Sequence, residues 1–216
     1  MFYQEQIDSI LRFGDVIKGF ALSSVNIDES ILMFQKREYP VDAGYSIDIS
    51  IPTFCVILTP CCSISDKIIS LTPLVKLRNT FFQNPYFRDD LTRINRIMQP
   101  KQVFLPDVWE NMPPEDKEKR SMKGPGYAFY ELFVYEEHKL FSEYIVNMKQ
   151  KENIRTKYYM IDFRNIYKVN YEKIKNQENI LPKCLQLSVY ARDELREKIS
   201  NYYSRKPDED KILLES

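Results

Sequence analysis

The sequence predicts an α+β protein: an antiparallel, partly closed β-barrel with N-terminal, inserted and C-terminal helices. Three observations lead there. Short apolar runs recur at hairpin-like spacing with turn residues between them. Strand and helix patterns do not alternate regularly, so a parallel sheet is not expected. Tyr and Phe are abundant, 15 and 13 of 216 residues, while Gly numbers only 5; aromatics favour strands and large cores.

Residues 2–13 have helical periodicity, with Tyr3, Ile7, Ile10 and Leu11 on one face, and Gly14-Asp15 ends it. "DVIKGFAL" reads as a strand, and a second is expected within 25–34. "YSIDISI" (45–51) alternates, placing Tyr45, Ile47, Ile49 and Ile51 on one face of a half-buried strand. "TFCVILT" (53–59) does not alternate, which suits a central strand covered on both faces. Pro60 ends it, because proline cannot donate to a ladder. "KIISLTPLV" follows as its partner, and "PCCSISD" between them fits a hairpin loop.

Asn84 and Pro85 are the cap and first residue of a helix that the spacing of Phe87, Leu91, Ile94 and Met98 carries to residue 98. "KQVFLP" reads as a short strand. Residues 107–125 combine Pro113-Pro114, mixed charge and Gly124-Pro125, and are expected to be a flexible loop. "GYAFYELFVYEE" and "YYMIDFRNIYKV" read as aromatic strands. A last helix is capped by Ser188 and turns Ala191, Leu195, Ile199 and Tyr202 to one face. One domain over 1–206 is expected, with the insertion at about 84–98 and a frayed tail at 207–216.

The charges balance, 31 basic against 31 acidic, which argues against a strongly basic nucleic-acid binder. Their distribution is uneven. Met1–Asp66 holds nine acidic and four basic residues, whereas Lys67–Lys101 holds seven basic and two acidic. Arg88, Arg93, Arg96 and Lys101, with Phe81, Phe82 and Tyr86 nearby, form a pattern that binds phosphates and stacks bases. The plainer reading is an exposed basic helix face. No charged-then-apolar leader opens the chain, and no apolar run approaches the roughly 18 residues of a membrane span. The expectation is a cytoplasmic protein without a membrane partner, its cysteines kept as thiols. There is neither a GxGxxG nor a GxxxxGK[ST], and no cofactor is expected.

Cys55, Cys61, Cys62 and Cys184 are the candidate metal ligands, but they lack CxxC pairing, and adjacent residues of an extended chain point apart. Buried thiols near a strand end are the simpler reading. A nucleophilic Cys62 needs a base; the one histidine, His138, lies in a charged turn. Asp15, Asp48 and Asp66 lie near strand ends, and no spacing ties them into a metal site.

Four segments together carry a resemblance: "FGDVIKGF", "FCVILTPCCSISDK", "YYMIDFRNIYKV" and "LSVYARDELREKISNYYSRKP". The pattern resembles a broad group of uncharacterised bacterial proteins. These have a G-D-[VI] strand, an apolar strand ending in T-x-x-C-D-[IL], and a closing L-S…R-x-x-L helix. Gly14, Asp15 and Val16 match the first motif; Thr59, Cys62 and Ile64 match the second. The resemblance implies an SH3-like barrel and an association with phage-defence or toxin–antitoxin genes. The aspartate that follows the cysteine is Ser63 here, which lowers the expectation of chemistry at this loop.

The resulting expectation is a non-enzymatic recognition or accessory module of a bacterial anti-phage defence or toxin–antitoxin-like system. It would bind a protein, or nucleic acid through the basic run 67–101. Thr59, Cys62, Ser63, Arg88, Arg93, Arg96 and Lys101 are its binding candidates. The alternative is a barrel-type ribonuclease or a hydrolase centred on Cys62 with His138. A further reading makes the aromatic hairpins 126–146 a homodimer seam.

Overall fold

A strand without polar alternation needs cover on both faces, and the run at Phe54 receives it. The computed structural model describes residues 1–19, 21–27, 45–60, 68–96, 104–123, 131–148, 152–170 and 183–204. In it, Phe54–Ile57 is strand β4, the middle of a five-stranded sheet. The order is β11 (Tyr167–Asn170), β5 (Ile68–Pro73), β4, β1 (Val16–Lys18) and β12 (Lys183–Leu185), with every neighbouring pair antiparallel. Ile17 lies opposite Cys55 and Ile57 opposite Leu71. Cys55, Val56 and Ile57 are fully buried. Ile17, Leu22, Cys55, Ile57, Ile69 and Leu71 form a core, with Leu11, Tyr167 and Val169 packed on it.

These strands belong to the first of two units: Met1, Tyr3–Val75 and Asn165–Ser188 form one, and Phe2, Lys76–Arg164 and Val189–Ser216 the other. The first unit also holds a two-stranded ribbon, β2 (Leu22–Ile27) with β3 (Tyr45–Ser50), whose register sets Leu22 opposite Ser50 and Ser23 opposite Ile49. Buried Leu22 ties the ribbon to the core. The half-buried strand expected at 45–51 is instead exposed at every residue from Ser46 to Ser50. Among the described residues this sheet has only two strands, and its isoleucines gain no burial from a further strand.

The N-terminal helix expected over 2–13 does not form. Tyr3 bridges Leu187, Gln4 N–H donates to the Gln186 carbonyl at 2.9 Å, and Ile7 and Ile10 stay exposed. The segment pairs instead with the chain just past β12, and of its expected helical face only Tyr3 and Leu11 are partly buried. Gly14 then turns the chain at φ 84°, its N–H donating to the Ile57 carbonyl at 2.7 Å. L side chains avoid that region, which accounts for the glycine.

The second unit packs short helices against a three-stranded sheet of order β6 (Val75–Lys76), β10 (Tyr159–Asp162) and β7 (Leu132–Tyr135), beside a hairpin of β8 (Tyr144–Asn147) and β9 (Asn153–Thr156). Its helices are α1 (Asn79–Phe82), α2 (Pro85–Asp89), α3 (Pro106–Glu110), α4 (Pro114–Lys123) and α5 (Val189–Ser204). Asn84 caps α2 as expected, its side-chain oxygen accepting from Tyr86 N–H at 2.9 Å. The helix does not run on to residue 98. Asp90 is extended and its carboxylate accepts from Thr92 N–H at 3.1 Å, so the chain restarts as a 3₁₀ turn over Leu91–Asn95. A side chain that can cap competes with the helix interior.

The flexible loop expected at 107–125 is α3 and α4 over most of its length. Pro106 and Pro114 are each a first helical residue, where proline's missing N–H costs nothing. Glu115 and Asp116 suit the positive start of α4. Trp109 anchors α3 in a core of Leu77, Phe81, Phe82, Tyr86, Phe87 and neighbouring apolar residues. Of the strand expected at "KQVFLP", residues 101–103 lie outside the described residues, Phe104 and Leu105 are in no strand and Pro106 opens α3; the tail 207–216 lies outside them as well. Leu132, Phe133, Val134, Tyr135 and Phe141 are buried in this unit, whereas Leu140 and Ile145, in the stretch expected as a homodimer seam, are exposed.

The architecture is mixed α+β with antiparallel sheets. Among the described residues no barrel closes: the five-stranded sheet ends at β11 and β12, and the other sheets are separate. Of the described helices, none is long and apolar enough to cross a membrane.

Gly19 is a spatial constraint. A Cβ there would lie 1.6 Å from the Pro52 carbonyl oxygen, and Gly19 N–H donates to the Thr53 carbonyl at 2.7 Å. Gly19→Ala is expected to push β1 from β4 and cost about 1–3 kcal/mol, read as a lower urea midpoint; an unchanged midpoint would refute this.

Candidate functional site

At the strand-end corner Thr59 is buried, and its Oγ1 accepts from Ser70 N–H at 2.6 Å. Beside it, Leu58 N–H donates to the Ser70 carbonyl at 2.9 Å. The hydroxyl therefore continues the β4–β5 pairing where Pro60 leaves the ladder. Cys61, Cys62 and Ser63 lie outside the described residues. Cys55 is buried inside the sheet; Cys184 is half-buried, and burial pushes its thiol up, away from thiolate. Among the described residues no group of three or more His, Cys, Asp or Glu is placed to hold a metal. His138 Nδ1 accepts from Leu140 N–H at 3.2 Å, and its pKa is lowered, first by burial and then by Lys139.

The basic run is dispersed. Arg88 is exposed and stands 3.9 Å from Glu152. Arg93 is buried: its Nε bonds Asp90 at 3.0 Å, and its guanidinium lies 5.1 Å from the Tyr86 ring centre and 5.2 Å from that of Trp109. It is core cement, held by one carboxylate and two aromatic faces. Arg96 lines a small cleft with Asn95, Glu194, Glu197 and Lys198. Lys101 lies outside the described residues. Arg88, Arg93 and Arg96 thus serve three separate environments.

Two buried cations carry little weight in the sequence reading. Lys183 Nζ bonds Asp15 at 2.9 Å, Asp8 at 3.0 Å and the Ile10 carbonyl at 2.6 Å. Arg12 and Lys183 hold the Asp8 carboxyl well below the usual range. This assigns Asp15 of the G-D-V motif a role: a buried anchor that ties residues 8–15 to β12. Lys198, on α5, is wholly buried. Its Nζ donates to the Ile94 carbonyl at 2.5 Å and lies 5.8 Å from the Phe133 ring centre. It occupies the helical register of Ala191 and Leu195, and that is the signal by which a buried lysine could have been found.

The exposed ribbon is the other candidate. Ile47, Ile49 and Ile51 are 55, 68 and 76% exposed. Ile47 and Ile49, both on β3, alternate with Ser46, Asp48 and Ser50, so they line one face of the strand.

Fold and site together define an α+β protein with an open antiparallel sheet, an exposed apolar ribbon and buried ion pairs. Comparison with family models, curated proteins and solved structures finds no match to the chain.

Burial takes the Lys198 amine well below its ordinary 10.5, while Glu131 and Glu194 pull it the other way. Below that depressed value both folded and unfolded states hold the proton, and the burial penalty stands in full. Between it and about 10.5 the unfolded chain binds more protons, so stability rises with pH. Urea midpoints at several pH values should show this slope in the wild type, and Lys198→Met should flatten it. Parallel curves would assign the slope to other groups.

Proposed function

We propose that the protein is a non-enzymatic recognition module that works through a protein partner docked on the β2–β3 ribbon. The observation that carries this reading is the exposure of Ile47 and Ile49 on a two-stranded ribbon, with exposed Ile51 just past its end. Such a ribbon is marginal by itself, and an edge strand with an apolar face is a template for an added strand. The occupant we assign is an extended apolar segment of another protein, paired along β3 with its side chains over Ile47 and Ile49. Dispersal of Arg88, Arg93 and Arg96 favours a protein over nucleic acid at the sites first considered. The resemblance to defence-associated bacterial proteins supplies the setting: an accessory component of an anti-phage or toxin–antitoxin-like system. The thiols of Cys55 and Cys184 agree with a reducing cytoplasm.

The ribbon is tested with Ile47→Asp/Ile49→Asp. Both side chains are exposed, so the urea midpoint should move by no more than about 0.5 kcal/mol equivalent. Quantitative capture from native cells should lose one ribbon-dependent protein. An identical captured set in variant and wild type would sink the proposal. A concentration-dependent dimer that the double substitution abolishes would replace the partner with a second copy.

A further inference from the structure

Asp162 ends β10 as a buried carboxylate, and two arginines meet it. Arg164 bonds both of its oxygens, Nε to Oδ1 at 2.8 Å and Nη2 to Oδ2 at 2.5 Å. Arg78 Nη2 reaches the same Oδ2 at 2.8 Å. Their nitrogens are thus within two hydrogen-bond lengths of each other. Burial pushes the Asp162 carboxyl up, but the hydrogen bonds from Arg164 and the charges of Arg164 and Arg78 hold it below the usual range. One arginine is enough to neutralise it; the second is in excess.

The two guanidiniums are not themselves buried. The side chains of Arg78 and Arg164 are 46 and 51% exposed. Arg78 gives Asp162 one nitrogen, and its other side-chain N–H groups meet no acceptor among the described residues; the same holds for Arg164 Nη1. A hidden carboxylate therefore fixes two forks whose free donors remain at the surface. That lowers the side-chain entropy a ligand would otherwise have to remove. An aromatic series starts at Phe163, the residue between Asp162 and Arg164. Phe163 packs on Tyr202 at 5.7 Å between ring centres, Tyr202 is within electrostatic range of Arg164, and Tyr203 follows at 5.0 Å from Tyr202, 65% exposed. Glu131, also within electrostatic range of Arg164, is the opposing charge.

We infer that Arg78 and Arg164 form a binding site for a nucleoside phosphate, taking the phosphate on their free N–H donors, with Tyr203 as a stacking face for the base. Planar forks match phosphate oxygens in pairs, and the exposed Tyr203 ring that ends the aromatic series favours a base over a phosphorylated peptide. A free nucleotide and a single strand present the same chemistry. This site is independent of the ribbon and goes beyond the protein-partner reading.

The test is calorimetric titration of the full chain with inorganic phosphate, adenosine monophosphate, a twelve-residue deoxythymidine strand and a phosphoserine peptide. A nucleotide or the strand should bind at least about tenfold more tightly than inorganic phosphate. Arg78→Gln and Arg164→Gln should each weaken binding about tenfold or more, and Tyr203→Ala should weaken it without affecting inorganic phosphate. Glu131→Gln should tighten it. Arg78→Lys keeps the charge beside Asp162 and loses the fork; it should fold as the wild type does and still bind more weakly. Affinity for the strand that exceeds that for the nucleotide and falls steeply with salt identifies a strand; equal affinities identify the nucleotide. No binding at millimolar concentration overturns the proposal, as does binding unchanged in both Gln variants. A phosphopeptide bound as tightly as the nucleotide, with Tyr203→Ala silent, also overturns it.

Discussion

A charge removed from water must be met by an opposite charge or by aligned hydrogen bonds, and that constraint fixes the irregular parts of this protein. Lys183 between Asp8 and Asp15 holds residues 8–15 on strand β12. Arg93, bonded to Asp90 between Tyr86 and Trp109, organises the 3₁₀ turn and α3. Asp162 holds Arg164 and Arg78, which are remote in sequence. Lys198 meets the Ile94 carbonyl, fixing α5 beside the same 3₁₀ turn. Apart from α5, none of these segments is long or regular enough for hydrophobic periodicity alone to place it.

The same constraint separates cations that are structural from cations free to bind. Arg93 and Lys183 are enclosed and spent on their partners. Arg78 and Arg164 share one carboxylate and keep donors at the surface. Counting basic residues along the chain groups Arg78 with Arg88, Arg93 and Arg96, although their environments differ. The exposed apolar ribbon belongs to one unit and the guanidinium pair to the other.

Where a signal is local, it was legible. Continuous burial of Cys55–Thr59 within "TFCVILT", its antiparallel partner at 68–73, the Asn84-Pro85 start of α2 and the helix after Ser188 all follow from patterns within a few residues. Where two local signals compete, the reading failed. Asp90 interrupts a helical period that runs through it. Pro113-Pro114 resembles a loop, yet Pro114 opens α4. Residues 2–13 have the period of a helix, but Tyr3 makes an isolated bridge to Leu187 instead. Of the candidate site, Thr59 was placed at its corner, while Asp162 and Lys198 were passed over because Arg78 and the Ile94 carbonyl lie elsewhere in the chain, and Arg164, two residues from Asp162, was read only as part of a strand segment.

The sequence by itself determined the α+β class, the antiparallel pairing around β4 and the glycine turn at Gly14, since these depend on side-chain alternation and backbone freedom over short spans. Only the tertiary structure decided that the β3 isoleucines stay exposed, that Arg93 is core while Arg78 and Arg164 face solvent, and that Lys198 is buried. Exposure and charge pairing depend on what lies across space from a residue. A carboxylate 84 residues away from Arg78 leaves no mark on the local pattern around either.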